Sequence, residues 1–461
     1  MARAKKEAAL TPEERLQAAL VPDWEWPYKL PENWCWTRIG NYVDYVTDYV
    51  ANGSFASLKV NVSIFKDENY ALMVKTQDFA NGFTKSLTYT DKHGYDFLSK
   101  STLHGGELIL SNIGSVGKVF RVPYFDRPMT LASNSVMVKC YNSRDYDWMY
   151  YFLLSPISFE ELKSITTGTA VPKFNKTDLK TIPLPVPPLA EQQRIVDRIE
   201  SLFAKLDEAK EKAQAVVDSF ETRKAAILHK AFTGELTKKW RKSANTRWVY
   251  KKIKDCCKLG SGGTPSRKVP DFYKGDIPWI KTGEIEWNDI YDTEEKITQS
   301  AIDNSSARCY KPGVVLVAMY GMGVTRGKAS ILRVQAATNQ AVCVLEPQSA
   351  LLYNRYLLYY FMRNYWDIRE KAVGGNQLNL SLTIIKELNI EIPPIDEQME
   401  IVQILDNLFA KQQQAKEAAE AVLEQIDLMK KSILARAFRG ELGTNDPSEE
   451  SAVELLKRTI L

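Results

Sequence analysis

A glycine-rich run, GVTRGKA at 323–329, comes nearest in this chain to a phosphate-binding loop. Such a loop cradles phosphates with backbone amides. It needs four residues between its glycines and a Ser or Thr after its lysine to hold Mg²⁺. Here three residues separate the glycines, and Ala329 follows Lys328. We therefore interpret the run as a hairpin turn.

Other catalytic arrangements are also incomplete. The Pro-Pro pairs at 187–188 and 393–394 lack the preceding Asn or Asp with which amino-methyltransferases of DNA grip the target amine, so we expect them to begin helices. No Ser/His/Asp set recurs in both halves of the chain. Six cysteines without CxxC spacing and three scattered histidines predict neither a zinc site nor disulfides. The sequence thus predicts a chain with no catalytic residues, no metal and no cofactor of its own.

Length and composition indicate a soluble protein of several domains. The chain has 461 residues, of which 44% are hydrophobic and 26% charged. No apolar run is long enough for a membrane span, and reduced cysteines favour the cytoplasm. A net charge of +4 permits an anionic partner without identifying one.

The chain contains an internal repeat. Residues 187–236 align without a gap against 393–442, and 24 of the 50 pairs are identical. PPLAEQQRIV faces PPIDEQMEIV, and KAAILHKAFTGEL faces KKSILARAFRGEL. Upstream the similarity is weaker, although VKTQDF at 74–79 keeps the same offset of 206 residues from IKTGEI at 280–285. Two halves of one architecture have therefore diverged mainly in their globular parts.

Each repeated segment predicts one long helix. A Pro-Pro pair precedes it, Glu191 or Glu397 lies in its first turn, and Gly234 or Gly440 ends it. Apolar residues recur at alternating steps of four and three, which is a heptad seam interrupted by Arg223 in one copy and Gln412 in the other. The predicted seam consists of Ile195, Ile199, Leu202, Leu206, Ala209, Ala213, Val216, Phe220 and Ile227, and of Ile401, Leu405, Leu408, Ala415, Ala419, Val422, Ile426, Met429 and Ile433. We expect the two helices to pack antiparallel; the alternative is that each covers only its own domain.

The globular parts, 31–186 and 247–392, predict mixed α/β domains. Short β-branched and aromatic runs around glycine turns, such as GELILSNIGSVGKVFRVPYF, indicate hairpins. One helical stretch per half, WMYYFLLSPISFEELKS or RYLLYYFMRNYWDIREKA, precedes the last strand.

This layout resembles the specificity (S) subunit of type I restriction–modification systems. The residues that carry the resemblance are GSGGTPSRK (260–268), GDIPWIKTGEI (275–285), ATNQAV (337–342), GGNQLNLSLTIIKELNIEIPPIDEQMEIV (374–402) and TGTAVPKFNKTDLKTIPLPVPPLAEQQRIV (167–196). It extends over nearly the whole chain from about residue 31. The first half departs from the pattern, because YVANGSFASLK stands where the second half has GGTPS.

The resemblance implies a non-catalytic subunit that reads a bipartite, asymmetric target in double-stranded DNA. It would dock two methyltransferase subunits and in some systems motor-nuclease subunits, and S-adenosylmethionine, ATP and Mg²⁺ would be bound by those partners. The implied fold is α+β, with two target-recognition domains joined by an antiparallel intramolecular coiled coil and related by pseudo-two-fold symmetry. The boundaries are an N-terminal extension (1–30), recognition domain 1 (31–186), central helix (187–236), linker (237–246), recognition domain 2 (247–392), distal helix (393–442) and C-terminal tail (443–461). Residues 1–30 would be a docking arm or a variable tail.

Residues of the recognition domains are candidates for DNA contact because phosphates need cations, hydroxyls and free amides, and bases need Asn, Gln, Arg or Lys on loops. In the first domain these are Lys75, Thr76, Gln77, Lys118, Thr169, Lys173 and Asn175. In the second they are Gly262, Gly263, Thr264, Ser266, Arg267, Lys268, Lys281, Thr282, Arg326, Lys328, Asn376 and Gln377. Each could equally be a solvated surface residue. We assign Asn134 and Asn339 to turns, and Trp279 and Trp287 to cores.

Other functions remain open. Repeated outward pairs, Lys210 with Glu211 and Lys416 with Glu417, could dock one partner twice or serve solubility alone. A coiled-coil scaffold that binds only proteins is one alternative, and a self-contained DNA modification enzyme is another, disfavoured by the missing motifs.

Overall fold

The protein was analysed as a computed structural model, which describes residues 11–244, 247–321, 323–372 and 379–460. The chain divides into two compact units. The first combines the chain up to Lys212 with the part from Val422 onward, and the second is Ala213–Ala421. Each unit therefore holds one globular domain together with the start of one repeated segment and the end of the other.

In the first unit the described residues form ten strands in three sheets. The orders are β2-β9-β6-β7, all antiparallel; β4-β3-β8-β5, in which β3 and β8 are parallel; and the antiparallel pair β1-β10. The strands are β1 Cys35–Arg38, β2 Tyr45–Asp48, β3 Ala71–Val74, β4 Tyr89–Thr90, β5 Thr102–Leu103, β6 Leu108–Ser111, β7 Val119–Arg121, β8 Met129–Leu131, β9 Ser135–Lys139 and β10 Pro183–Val186. Strands such as β6 (LILS) and β8 (MTL) are buried throughout, because they lie in the interiors of their sheets.

The second unit repeats this topology with one additional edge strand. Its sheets are ordered β12-β20-β17-β18-β14, β15-β13-β19-β16 with β13 and β19 parallel, and β11-β21. The strands are β11 Val249–Lys252, β12 Cys257–Ser261, β13 Ile277–Ile280, β14 Asp289–Ile290, β15 Lys296–Ile297, β16 Cys309–Tyr310, β17 Val315–Ala318, β18 Ala329–Leu332, β19 Ala336–Thr338, β20 Val342–Pro347 and β21 Asn389–Ile392. The pairing β1-β10 thus corresponds to β11-β21, and β3 corresponds to β13.

Helices connect the strands and form the repeated segments. They are α1 Pro12–Ala19, α2 Ile39–Tyr42, α3 Phe55–Asn61, α4 Thr76–Ala80, α5 Lys92–Phe97, α6 Ser143–Leu154, α7 Pro156–Ser164, α8 Lys176–Thr181, α9 Leu189–Asp218, α10 Phe220–Phe232, α11 Lys238–Ala244, α12 Ile253–Cys256, α13 Gln299–Asp303, α14 Asn354–Arg363, α15 Tyr365–Glu370, α16 Leu382–Lys386, α17 Ile395–Ala437 and α18 Ala452–Ile460. The distal segment is one helix of 43 residues, as predicted. The central segment is two helices, since Ser219 interrupts it. The Ser219 hydroxyl donates back to the Val216 carbonyl, a bond that competes with regular helix geometry.

The repeated helix starts bury their glutamates. Glu191 is fully buried and accepts hydrogen bonds from the Trp34 indole (2.8 Å) and the Asn445 amide (2.8 Å). Glu397, its counterpart 206 residues on, is also fully buried and accepts from the Trp248 indole (3.0 Å) and Arg241 (Nε–Oε1 3.0 Å). These glutamates therefore tie a helix start to the first strand of a globular domain, beyond the favourable dipole interaction expected from sequence.

The repeated helix ends anchor globular domains. Gly234 and Gly440 adopt left-handed φ values of 71° and 73°, which a C-terminal cap requires. Phe438 packs against Trp148 with ring centroids 4.5 Å apart, and Phe232 packs against Tyr356 at 4.8 Å. Each AF-GEL ending therefore carries an aromatic ring into the core of a globular domain.

The paired helices run antiparallel within each unit. In the first unit, Lys430 pairs with Asp207 (2.5 Å) and Asp427 pairs with Lys210 (3.4 Å). Residue numbers therefore increase along one helix in the direction in which they decrease along the other. In the second unit Lys416 lies over the Phe220 ring and Lys224 over the Phe409 ring. The Lys210 and Lys416 side chains therefore take part in the helix pairing rather than pointing away from it.

The burial of the predicted seam residues differs between the two repeats. All nine seam residues of the first copy are buried or half-buried. In the second copy Ile401, Leu405, Leu408, Ala419, Ile426 and Ile433 are also buried or half-buried, whereas Ala415, Val422 and Met429 are exposed. The half-buried positions are instead Gln412, Lys416, Leu423 and Lys430. Lysine occupies them because its methylene stem and ammonium group pack against an aromatic ring on the opposing helix.

The described part of the N-terminal extension belongs to a core, contrary to its interpretation as an arm or tail. Ala19, Val21 and Leu30 are buried in the same cluster as Trp36. The C-terminal tail packs there as well, with Leu456 buried. Sequence reasoning separated the C-terminal tail from the first domain because their contacts are more than 400 residues apart, as between Asn33 and Asp446.

Candidate nucleic-acid interface

The carboxyl ends of two parallel strands define one edge in each unit. Lys75 follows β3 and Lys281 follows β13, and each precedes a short helical turn whose acidic residue accepts from the lysine amide. The Lys75 amide donates to Asp78 (2.8 Å), and the Lys281 amide donates to Glu284 (2.7 Å). Loops from several elements meet at this edge, as loops do at the carboxyl end of parallel strands.

In the first unit the edge is assembled around helix α4. Phe79 of α4 stacks on Phe120 of β7 with ring centroids 4.5 Å apart. The Asn112 amide, just after β6, lies 3.4 Å from the Asn134 carbonyl, just after β8. The predicted residues Thr76 and Gln77 therefore lie beside the β6–β7 hairpin, and Gln77 is exposed.

Two loops near this edge carry exposed cations. The hairpin loop 112–118 is joined to the loop 167–173 by a hydrogen bond from the Gly114 amide to the Pro172 carbonyl (2.9 Å), and the second loop is itself closed by hydrogen bonds between Thr167 and Lys173 (2.8 Å each way). Lys118, Thr169 and Lys173 are all exposed on these loops. The structure thus brings together three residues that are up to 55 positions apart in sequence.

Two predicted contacts of the first unit have structural partners. The Asn175 side chain caps α8, accepting from the Thr177 and Asp178 amides (2.8 and 2.9 Å), which is a sufficient reason for Asn at this position. The Lys75 ammonium group donates to the Ser86 carbonyl (2.8 Å). Burial raises the pKa of the adjacent Asp78, while its bonds to Lys75 oppose that rise.

In the second unit, Gly262 and Gly263 do not offer free amides. Both are buried, and the Gly263 amide donates to the Thr338 carbonyl (2.9 Å) at the end of β19. A Cβ atom on Gly262 would overlap the Thr338 carbonyl. The glycines therefore permit close packing of the loop on β19, while Thr264, Ser266, Arg267 and Lys268 are exposed.

Arg267 and Lys281 are neutralised by an acid that sequence analysis did not single out. Arg267 binds Glu295 through both terminal nitrogens (2.5 and 2.9 Å), and the Lys281 ammonium lies 3.3 Å from the same carboxylate. The Arg267 hydrogen bonds hold the pKa of Glu295 at about 2, with a smaller contribution from Lys281. Arg267 also lies over the Tyr273 ring, 4.0 Å from its centroid. Contact of either cation with a phosphate would have to compete with Glu295.

The hairpin loop between β17 and β18 is held by helix α15. Arg369 donates to the Gly323 carbonyl (2.6 Å) and the Arg326 carbonyl (2.5 Å), and the Tyr365 hydroxyl donates to the Val324 carbonyl. Burial and the neighbouring Arg369 lower the pKa of Arg326. This run is the glycine-rich stretch that we interpreted as a hairpin turn.

Lys328 was also predicted to contact DNA. It is buried and paired with Glu286, so its charge faces the protein. Thr282 is half-buried at the edge. Asn376 and Gln377 lie outside the described residues. Trp279 is buried, and the Asn339 side chain accepts from the Ala341 amide as a turn residue does (3.0 Å).

Sequence reasoning missed Glu295, Arg369 and Gln340. Gln340 accepts a hydrogen bond from the Thr264 hydroxyl. It lies in the ATNQAV run that carries part of the family resemblance, so the sequence could have identified it. Arg369 is 43 residues from the carbonyl that it holds, and no spacing rule connects them.

No cluster of three or more His, Cys, Asp or Glu side chains suited to a metal ion occurs among residues 11–460 outside the gaps given above. Within that same part of the chain, no helix is long and apolar enough to cross a membrane. Two globular domains with loop-rich strand edges, each built onto paired long helices, define a duplicated two-domain architecture. The chain belongs to the family of type I restriction modification DNA specificity domains, which matches residues 40–217 and 245–425.

Known relatives agree with this assignment. The chain is 25% identical over 309 residues to the type I restriction enzyme EcoKI specificity subunit of Escherichia coli K12, a match that covers 63% of this chain and 64% of the relative. That match thus spans just under two thirds of the relative's length.

Solved structures share the fold. The HsdS subunit from Thermoanaerobacter tengcongensis superposes with a TM-score of 0.58 at 19% identity, covering 91% of this chain and all of that one. A chain from a structural study of complex assembly and conformational transition in a type I R-M system gives 0.62 at 17% identity, covering 90% of this chain and all of that one. The predicted fold class, two mixed domains with a coiled coil, is confirmed.

Proposed function

We propose that this chain is the sequence-reading subunit of a type I restriction–modification complex. Each recognition domain would read one half of a bipartite target in double-stranded DNA, with unread base pairs between the halves. The observation that carries the proposal is the duplicated edge at the carboxyl ends of β3 and β13, where exposed polar loops converge in both units. The exposed residues described on the two edges differ, with Gln77, Lys118, Thr169 and Lys173 on one and Thr264, Ser266 and Lys268 on the other, so the two half-sites would differ in sequence.

The exposed groups suit a duplex. Lys118 and Lys173 in the first unit, and Lys268 in the second, are exposed cations for phosphates. Gln77, Thr169 and Ser266 are exposed hydrogen-bonding groups on the same edges and suit base or sugar contacts. These residues replace the longer predicted set as the first candidates for mutation.

The chemistry would be supplied by partners. Two methyltransferase subunits would dock on the repeated helices and bind S-adenosylmethionine, and motor-nuclease subunits, where present, would bind ATP and Mg²⁺. Two similar helix pairings in one chain support docking of two copies of one partner. The chain itself would be non-catalytic.

Selection from a randomised duplex pool tests the proposal. The full chain, alone and with its methyltransferase subunit, should enrich a motif of two unlike half-sites around a gap of fixed length, and binding should weaken steeply with salt. An uninterrupted motif, or no enrichment in either case, would contradict it. Retained binding of protein partners without DNA affinity would favour a scaffold, and methyl transfer by the isolated chain would favour an enzyme.

A further inference from the structure

The strands β1 and β11 occupy equivalent places in the two units. Cys35 of β1 lies opposite Val186 of β10, and Val249 of β11 lies opposite Ile392 of β21. Val186 and Ile392 are 206 residues apart, the offset of the repeat. Trp36 therefore corresponds to Tyr250.

In the first unit the chain itself covers the outer edge of β1. The Val21 amide donates to the Trp36 carbonyl (3.0 Å), and the Thr37 hydroxyl donates to the Ala19 carbonyl (2.7 Å). The Tyr28 ring packs on the Trp36 ring with centroids 4.9 Å apart. As a result Trp36 is only 1% exposed.

In the second unit the described residues leave the equivalent edge uncovered. Val249 is 46% exposed and Tyr250 is 75% exposed. Among the described residues, β11 has a strand partner on one side only, β21. The far side of β21 is closed, because the Tyr356 and Tyr360 hydroxyls donate to its carbonyls at Glu391 and Asn389 (2.8 Å each). We call the outer side of Val249–Lys252 the open edge.

The stretch of chain that leads into the open edge and includes it is strongly basic. Residues 237–254 contain no Asp or Glu, and their cations are Lys238, Lys239, Arg241, Lys242, Arg247, Lys251, Lys252 and Lys254. Arg241 is paired with Glu397, and Lys252 and Lys254 are paired with Glu387. The other five have no acidic partner among the described residues.

The segment that covers β1 has the opposite charge. Within 12–26 there are four acidic residues, Glu13, Glu14, Asp23 and Glu25, against one cation, Arg15. Glu25 pairs with Arg38 at the end of β1 (2.5 Å). The molecule thus contains one example of an acidic, tryptophan-containing segment closing this kind of edge.

We propose that the open edge binds an acidic, extended segment of a methyltransferase subunit, which would add a strand beside β11 and cover Tyr250. This rests on the proposed function, since it assigns part of that docking. An edge strand with unpaired backbone groups is a common site of strand addition by a partner. Lysines at 251 and 252 oppose pairing of β11 with a second copy of itself. The exposed Val249 and Tyr250 side chains favour a protein over phosphates, because a DNA backbone would not bury them.

The first unit has no equivalent open edge, because residues 19–21 already bond to the outer side of β1. One of the two methyltransferase copies would therefore make a contact that the other cannot make. The two copies should bind with unequal affinity, and the tighter site should be the more sensitive to salt.

The test uses the full chain and its methyltransferase subunit. Native mass spectrometry and titration calorimetry would compare the wild type with Tyr250→Ala and with Lys242→Glu, and Tyr291→Ala, 66% exposed in the same unit, is the matched control. We expect the tighter binding step to weaken about ten-fold in the two edge variants, as for loss of a buried aromatic anchor or of a matching charge, and to be unchanged in the control. Hydrogen exchange should show slowing at 249–252 on complex formation, whereas 35–38 should be slow already in the free chain.

Two results would overturn the inference alone: unchanged binding steps in both edge variants, or slowing at 249–252 that appears only when duplex DNA is added. Failure of the wild-type chain to bind any methyltransferase subunit would overturn the proposed docking, and with it this inference.

Discussion

The Lys430 ammonium nitrogen lies 4.9 Å from the centre of the Phe203 ring, and the repeat-related Lys224 lies 5.7 Å from the centre of the Phe409 ring. Residues 203 and 409 are related by the 206-residue offset, as are 224 and 430. The contacts between the repeats are therefore reciprocal, because the phenylalanine of each copy packs against the lysine of the other copy. This relationship fixes both the direction and the register of the helix pairing.

Removing one ring should loosen one unit. Phe203 is half-buried and also contacts Tyr151 (centroids 6.0 Å apart), so Phe203→Ala should lower the stability of the first unit by about 2 kcal/mol. Hydrogen exchange should accelerate in β6 and β9 and not in β17 and β20. Phe159→Ala, which removes an exposed ring in the same unit, should leave exchange unchanged. Equal acceleration in both units would contradict the assignment.

Replacing a polar seam residue should stabilise the helices. The Gln412 side-chain oxygen is buried and has no hydrogen-bond partner among the described residues, whereas its repeat counterpart is Leu206. Gln412→Leu should therefore raise the free energy of unfolding by about 1 kcal/mol, measured by denaturant titration. Gln414→Leu, on the exposed side, should change it little. A loss of stability in Gln412→Leu would mean that this oxygen is bonded in solution.

Two glycines of the second unit should respond differently to a methyl group. Gly262→Ala drives a Cβ into the Thr338 carbonyl and should displace the loop 262–268, lowering stability by about 2 kcal/mol or more. Gly283→Ala meets nothing within 4 Å and should cost less than about 1 kcal/mol. Thermal denaturation measures both, and limited trypsin cleavage at Arg267 or Lys268 reports the loop. Equal effects of the two substitutions would contradict the close packing on β19.

Acid should weaken the second unit through Glu295. Its pKa in the folded protein is about 2, below the ordinary value of 4.5, so its contribution is complete above pH 4.5 and is lost as pH falls toward 2. Denaturant titrations at pH 5 and pH 2.5 should show a smaller loss of stability in Glu295→Gln than in the wild type. Glu294→Gln, at an exposed neighbouring carboxylate, should behave as the wild type does. An identical loss in the Glu295 variant would show that the Arg267 pairing does not persist in solution.

Loss of the loop cations should change the salt dependence of DNA binding. With two fewer phosphate contacts, Lys118→Gln combined with Lys173→Gln should reduce the slope of log K against log salt by about 2. Fluorescence anisotropy at several salt concentrations measures this. Lys163→Gln, an exposed lysine of the same unit that lies 3.8 Å from Glu160, should reduce it by less than about half a unit. Equal slopes for the double variant and the wild type would place the DNA elsewhere.

The sequence predicted the elements whose signals are local or repeated. Heptad spacing located the long helices, and glycine turns located hairpins such as the one after β17. The seam failed at Ala415, Val422 and Met429 because hydrophobicity alone cannot reveal that Lys416 and Lys430 pack against rings from another helix. The prediction of DNA contacts was weakest for cations that pair with an acid distant in sequence. Lys328 pairs with Glu286, and Arg267 pairs with Glu295; the fold brings each pair together, and no sequence pattern connects them.

The Asn33 carbonyl accepts the Ala452 amide (2.9 Å), so the core of the first unit is completed by residues made more than 400 positions later. The second unit, Ala213–Ala421, is one uninterrupted stretch of chain. During synthesis the second unit can therefore fold as soon as it leaves the ribosome, while the core of the first unit stays incomplete, with Trp148 and Phe152 uncovered, until Phe438 has been made. The domain that is synthesised first is therefore the last to complete its folding. Until then its exposed core residues are the part of the chain most in need of chaperones.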